Sequence, residues 1–359
     1  MSTNGIALTS IGDFADHLLP HFVKKGKFES MRKYQSYKWL DEAFKPNRYR
    51  VAGGNSLEWR VSRTTNGSFA HIRPFQVTPV NYVDVFSKGS IRWAHSEIKA
   101  VWNEIIAKSF TGESALVDYM MGEYEVAIKA LCDGLEESGF KVPTDSSDDR
   151  TPHGVPYWFP KLGVGVEDPD GGFNGQTAVY SGGGTTTTIG GTERSTVDYS
   201  KTWVATYNSI NAAFLDTLRR AQEYTLFEVP QDLKQYVDST RSKFRLYFPM
   251  NRKLDYERLV NAGPDDRNGD ANPFKGTLTF RGQPVYGNRY LDDVADEPIY
   301  SINFDKFLPF VHSGFWMKWD DAIKQDDRHT YAKAMDCRYN YALTNEREGG
   351  FCIHRPRTA

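Results

Sequence analysis

KGTLTFRGQPVYGNRYLDD, Lys275 to Asp293, is the stretch whose reading decides the fold. It gives a short strand at 277–280, a tight turn at Arg281-Gly282, a second strand through Val285, and an irregular segment closed by acids. It holds no His, no Cys and no Ser beside a base. Strand, turn, strand is architecture, so the residues speak first of what the chain builds.

Working outward, KFRLYFP (243–249) reads as a buried strand and LDYERLV (254–260) as a short helix. A helix is expected from about Asn211 to Glu228, with Phe214, Leu215, Leu218 and Ala221 on one side and Pro230 as its stop. Beyond Ile299 the chain is strand-rich: Phe307 to Trp319, Tyr331 to Leu343 and Phe351 to His354, the last two joined by a polar turn at 345–350. The strongest helix signal is Glu113 to Ser138, where Leu116, Met120, Ala127, Leu131 and Leu135 share a stripe with Tyr124 and Ile128 beside it. About 25 residues make a rod of about 38 Å. Gly122 and Gly134 inside it suggest the close approach of another backbone. Residues 91–110 read as mostly helical, and 1–46 as a helical arm.

From Tyr49 to Phe86 the period drops to two: Leu57, Trp59 and Val61 alternate with Glu58, Arg60 and Ser62. Asn66-Gly67 supplies a two-residue turn. Folding about it pairs Arg63 with Ala70, Val61 with Ile72 and Trp59 with Pro74, leaving one apolar face. Pro74 and Pro79 keep the return strand off the centre of a sheet. Such a hairpin is marginal alone, so its apolar face must rest on its own core or on a neighbour.

Composition limits the functional classes. The 359 residues are 39% hydrophobic and 14% aromatic, enough for one large or two medium domains. With 44 Lys and Arg against 46 Asp and Glu, the formal net charge of -2 argues against tight nucleic-acid binding, though not against enclosing nucleic acid. Three cysteines without a CxxC pair fit a reducing compartment. No signal peptide and no membrane span are expected.

No chemistry stands out. His17 and His21 have helical metal-ligand spacing, but no acid or Cys is placed to complete a site. Asp265, Asp266 and Asp270 in GPDDRNGDANP do not follow calcium-loop order. SGGGTTTTIGG (181–191) lacks the lysine of a phosphate-binding loop and reads as a flexible surface loop. No catalytic, cofactor-binding or metal-binding residue is therefore expected.

The succession of helical arm, long hairpin, long helix, mixed centre and strand-rich tail, with the local text GVPYWFP, GGFNG, KTWVATYNSINAAFLDTLRRAQEYTLFEVP, FKGTLTFRGQPV, YLDD and YNYALTNEREGGFCIHR, resembles the major capsid proteins of tailed bacteriophages. The resemblance spans nearly the whole chain. It implies an α+β fold of the Hong Kong 97 type: an N-terminal arm at 1–48, an extension loop at 49–90, a peripheral domain at 91–139 and 299–359 containing a spine helix, and an axial domain at 140–298. It implies an icosahedral shell of pentamers and hexamers enclosing double-stranded DNA, made in the host cytoplasm and found in the virion. Its partners would be copies of itself, with a separate scaffold protein or none, a portal and a cementing protein. Trp59, Val61, Arg63, Asn66, Gly67, Ile72 and Arg73 become the expected inter-subunit contacts. Some relatives cross-link through a lysine on this loop; residues 60–73 contain none, so no such bond is expected. Other readings are an encapsulin-like compartment shell, a carbohydrate-active enzyme suggested by the Trp and Asp content, and a tail or decoration module.

Overall fold

The computed structural model describes residues 37–46, 48–62, 71–74, 76, 86–109, 113–226, 243–261, 278–325 and 329–357. In chain order the first elements are α1 (Lys38–Ala43), β1 (Arg50–Ala52), β2 (Ser56–Ser62), β3 (Phe86–Arg92), β4 (Ala94–Asn103), α2 (Glu104–Ser109) and α3 (Glu113–Ser138). Then come α4 (Val155–Trp158), β5 (Gly172–Gly175), β6 (Ala178–Val179), β7 (Thr185–Thr186), β8 (Thr188–Ile189), β9 (Thr192–Glu193), β10 (Thr202–Thr206), α5 (Ala212–Thr225), β11 (Phe244–Pro249) and α6 (Met250–Asn261). The last are β12 (Thr279–Phe280), β13 (Gln283–Asn288), β14 (Ile299–Asn303), β15 (Phe307–Trp319), β16 (Ile323–Lys324), β17 (Thr330–Leu343) and β18 (Gly350–His354).

The opening stretch folds as its residues dictate. Thr279 pairs with Pro284 and Phe280 with Gln283, so Arg281 and Gly282 form the two-residue turn. Both have positive φ, 46° and 77°, as a primed hairpin turn requires. β13 then runs parallel to β11 inside a seven-stranded sheet of order β12-β13-β11-β14-β18-β10-β5. Both faces of that sheet are covered, which explains the near-continuous apolar runs of its strands. Tyr247, Tyr300, Cys352 and Val204 form one cross-strand row facing the main core. Leu246, Phe351 and Trp203 face the other side, under α5 and α6. Asn211 caps α5, its Oδ1 accepting the Phe214 N–H at 3.0 Å.

The second sheet is built on β17. β15 and then β16 lie along one side of it and β4 along the other, with β1 parallel at the outer edge of β15. α3 packs on the β4 side through Met120, Tyr124 and Ala127 against Trp102 and Ala100. The helix has the bounds read from its stripe. Among the described residues, a Cβ on Gly122 or Gly134 would meet nothing within 4 Å.

Three expectations need correction. Residues 94–103 are a strand, not a helix: Ala94, Ile98, Ala100 and Trp102 face inward while His95, Glu97, Lys99 and Val101 face out. Ten successive pairings with β17 override the helical spacing of Trp93, Ile98, Val101 and Trp102. The hairpin register also differs, since Val61 pairs with Ser87 and Trp59 with Gly89, so the return strand is FSKGSIR. Asn66-Gly67 lies outside the described residues. The 181–191 segment is organised: β6 pairs with β7 and β8 with β9, and Ile189 is fully buried. Residues 299–357 serve both sheets. β14 and β18 join the seven-stranded sheet, while β15 and β17, which lie between them in sequence, build the other. His17, His21, Asp265, Asp266 and Asp270 lie outside the described residues.

Candidate assembly surface

The hairpin stands apart from the two large sheets: among the described residues β2 and β3 pair only with each other. Its inward face carries Leu57, Trp59 and Val61 opposite Ile91, Gly89 and Ser87. Leu57 and Ile91 are buried in the chain's own main core, and Val61 is only 5% exposed. Trp59 is half-buried against that core, its ring centre 6.0 Å from that of Trp158 on α4. A Cβ at Gly89 would overlap the Trp59 indole, so glycine is what lets the ring lie across β3. Glu58 and Lys88 pair on the exposed outer face at 2.7 Å, a contact of small energetic weight.

Polar contacts secure the root. Ser90 N–H donates to the Gly190 carbonyl at 3.2 Å, and Trp93 Nε1 donates to the Gly54 carbonyl at 3.0 Å. The Arg92 guanidinium donates to the carbonyls of Ser146 and Ser147. Buried Asn340 donates from Nδ2 to the Arg92 carbonyl at 2.5 Å and accepts the His153 N–H at 2.9 Å. Burial, with the Arg92 charge beside it, pushes His153 down to about 4.

At the other end of the chain's first described stretch, α1 is clamped to the body. Trp39 has no exposed surface and sits among Phe140, Tyr247, Phe304, Phe307 and Tyr341, with ring centres 5.2–5.8 Å away. Buried Glu136 of α3 accepts the N–H groups of Trp39 and Leu40 at 3.0 and 2.7 Å, satisfying donors that the short helix cannot satisfy itself. Burial raises Glu136 to about 7 against those two hydrogen bonds. Glu42 is buried too, but Lys45, Arg245 and Arg48 outweigh the burial and hold it at about 2.

Of the predicted contact residues, Trp59 and Val61 thus pack on their own chain. Ile72 and Arg73 are exposed, Ile72 by 57%. Arg63, Asn66 and Gly67 lie outside the described residues. Sequence reasoning missed the partners that fix the root, Trp158 and Gly190. The pair Gly190-Gly191 between β-branched residues was the available signal, a hairpin turn in its own right. The three cysteines are free. Among the described residues no helix is long and apolar enough to cross a membrane.

No protein-family model matches the chain, and no curated protein matches it in sequence. Solved structures do match. The capsid asymmetric unit of cyanophage A-1(L) aligns over 94% of this chain and 97% of its own at 13% identity, with a TM-score of 0.60. The holo-SrpI encapsulin complex of Synechococcus elongatus PCC 7942 aligns over 93% and 94% at 8% identity and 0.51. The capsid of a native GTA particle aligns over 93% and 100% at 10% identity and 0.50. The fold is therefore the Hong Kong 97-type capsid fold, mixed α+β.

Proposed function

We propose that the chain is the major subunit of an icosahedral bacteriophage head, assembling through pentamers and hexamers into a shell around double-stranded DNA. The end-to-end match with the cyanophage capsid subunit carries this reading. A closed shell needs contacts repeated about rotation axes, and the exposed Ile72 and Arg73, in the stretch of chain between β2 and β3, suit such a contact. The near-zero formal charge suits enclosing DNA rather than gripping it.

The exposed members of the predicted set, Ile72 and Arg73, are the residues proposed to meet a neighbour, together with Arg63, Asn66 and Gly67. Trp59 and Val61 fix the direction of the arm from inside the subunit. A peripheral unit built on α3 and the β17 sheet, and an axial unit built on the seven-stranded sheet, are the proposed working parts. A separate scaffold, a portal and a cementing protein are proposed partners, with synthesis in the host cytoplasm.

The second reading, a compartment shell enclosing protein, is favoured by the encapsulin match alone. Electron microscopy of the purified protein, with nuclease-protected DNA measured on shells recovered from infected or expressing cells, separates the two. DNA-filled shells support the head reading. Shells holding only protein support the compartment. A monomer under all conditions, including with a co-expressed scaffold, refutes both.

A further inference from the structure

A cavity of about 770 Å³ is lined by the loop 161–168 and by the edge of the seven-stranded sheet. β5 ends that sheet, and among the described residues no strand pairs on its outer side. A strand in that position offers main-chain N–H and C=O groups that no ladder uses. Asn174 of β5, with Gln176 and Thr177 after it, forms one wall. Another wall carries Val164 and Val166, 53% and 46% exposed, alternating with Gly163 and Gly165. The volume falls within the roughly 300–1,000 Å³ of pockets that take up ligands.

Three cations line the same cavity: Lys161, Lys201 and Arg357. Lys161 and Arg357 share one carboxylate, that of Asp296, at 2.7 and 3.8 Å. Among the described lining residues Asp168 is the only acid. Its two oxygens accept the Gly171 N–H at 2.8 Å and the Asn174 amide at 3.1 Å. Three cations against these two carboxylates leave a positive surplus. The walls are also held in place. The Asp168 N–H donates to Thr206 Oγ1 of β10, and its carbonyl accepts the Thr206 N–H, each at 2.8 Å. The Leu162 N–H donates to Nε2 of buried His354 in β18, and the Gly165 N–H to the Arg357 carbonyl, each at 3.0 Å. The loop and the Arg357 backbone are thus tied to the large sheet before anything binds, which lowers the ordering cost of a ligand.

A small anion would use the cations and leave the valines and the strand edge idle. An extended polypeptide uses all three, because its main chain can pair with an edge strand while successive side chains point to opposite sides. We propose that this cavity is the docking site for an extended, acidic segment of a partner protein. The segment adds to the sheet beyond β5, its carboxylates meet Lys161, Lys201 and Arg357, and its apolar side chains cover Val164 and Val166. The site belongs to the single chain and does not depend on the shell reading.

The test is fluorescence anisotropy on the full-length chain with a blocked, labelled peptide of alternating valine and aspartate. Saturable binding that weakens with added salt is expected. The same peptide with asparagine for aspartate should bind about tenfold more weakly. Lys201→Glu should weaken the aspartate peptide by about tenfold and Val164→Ser by about threefold; the second is read alone if the first does not fold. Hydrogen exchange should show the amides of residues 174–177 slowed by the peptide. No saturation up to about 1 mM, equal binding of the two peptides, or binding unchanged by both variants overturns the proposal. So does displacement of the aspartate peptide by inorganic phosphate with no effect of Val164→Ser, which marks a small-anion site. Slowed exchange of the same amides on raising the chain concentration without peptide seats a second copy there and overturns it too.

Discussion

Replacing Trp39 by alanine tests how the parts of the subunit are joined. The side chain has no exposed surface and touches both large sheets: Tyr247 of β11 in one, Phe307 of β15 and Tyr341 of β17 in the other, with Phe140 beyond α3 beside them. Truncating a large buried aromatic costs about 3–5 kcal/mol, and the upper half applies where the walls cannot collapse. Here the walls are rings held in two different sheets, so collapse would require moving one sheet against the other. Edge-to-face contacts of about 0.5–1.5 kcal/mol each are lost as well, though they do not add independently. The expected loss is about 4 kcal/mol, a large share of the roughly 5–15 kcal/mol by which a typical folded protein is stable. Urea unfolding of the free subunit, followed by circular dichroism, measures it, and Trp39→Phe, which keeps one ring, should cost about half as much. A loss below about 1 kcal/mol for alanine, with an unchanged slope, would refute the idea that this ring joins the sheets.

Ile72→Asp, at an exposed position, should change subunit stability by less than about 0.5 kcal/mol while sharply reducing shell yield by sedimentation; normal yield removes Ile72 from the contact. Val61→Asp, by contrast, should destabilise the free subunit, because Val61 is buried in its own chain. His153, held at about 4 against an ordinary 6.5, stabilises the fold above pH 6.5, and up to about 3 kcal/mol is lost as pH falls through 4. Glu136, raised from 4.5 to about 7, does the reverse: its contribution is full below pH 4.5 and up to about 3 kcal/mol is lost as pH rises through 7. Because the two oppose each other between pH 4.5 and 6.5, each is read from stability-pH profiles of wild type against Glu136→Gln and His153→Asn. Boiled shells should run as monomers on denaturing gels; a ladder of covalent multimers would contradict the absence of a cross-link.

Much of the architecture was legible because local signals agreed with the final contacts. The apolar stripe of α3, the turn at Arg281-Gly282 and the strands β11, β15, β17 and β18 all carry their period or their turn chemistry in the residues themselves. β4 was misread because Trp93, Ile98, Val101 and Trp102 mimic helical spacing, and only pairing with β17, more than 200 residues away, decides the matter. The hairpin register failed for a related reason. Asn66-Gly67 is a strong turn signal, but the strand that pairs with β2 begins at Phe86, where Gly89 clears room for Trp59. Glycine in a strand interior reads as weakness until the ring it accommodates is known. The candidate surface was legible only in outline: the alternation marked an apolar face, and no pattern within residues 49–90 could say that this face lies on Trp158.

The order of the last strands has a mechanical consequence. β14 and β18 are neighbours in one sheet, yet the chain between them leaves to lay down β15, β16 and β17 in the other before returning. The two halves are therefore sewn together by the backbone itself. A force that pulls them apart is borne by the two covalent crossings of the chain as well as by the side-chain contacts between the sheets. In the proposed shell, a subunit built this way would come apart only by unravelling.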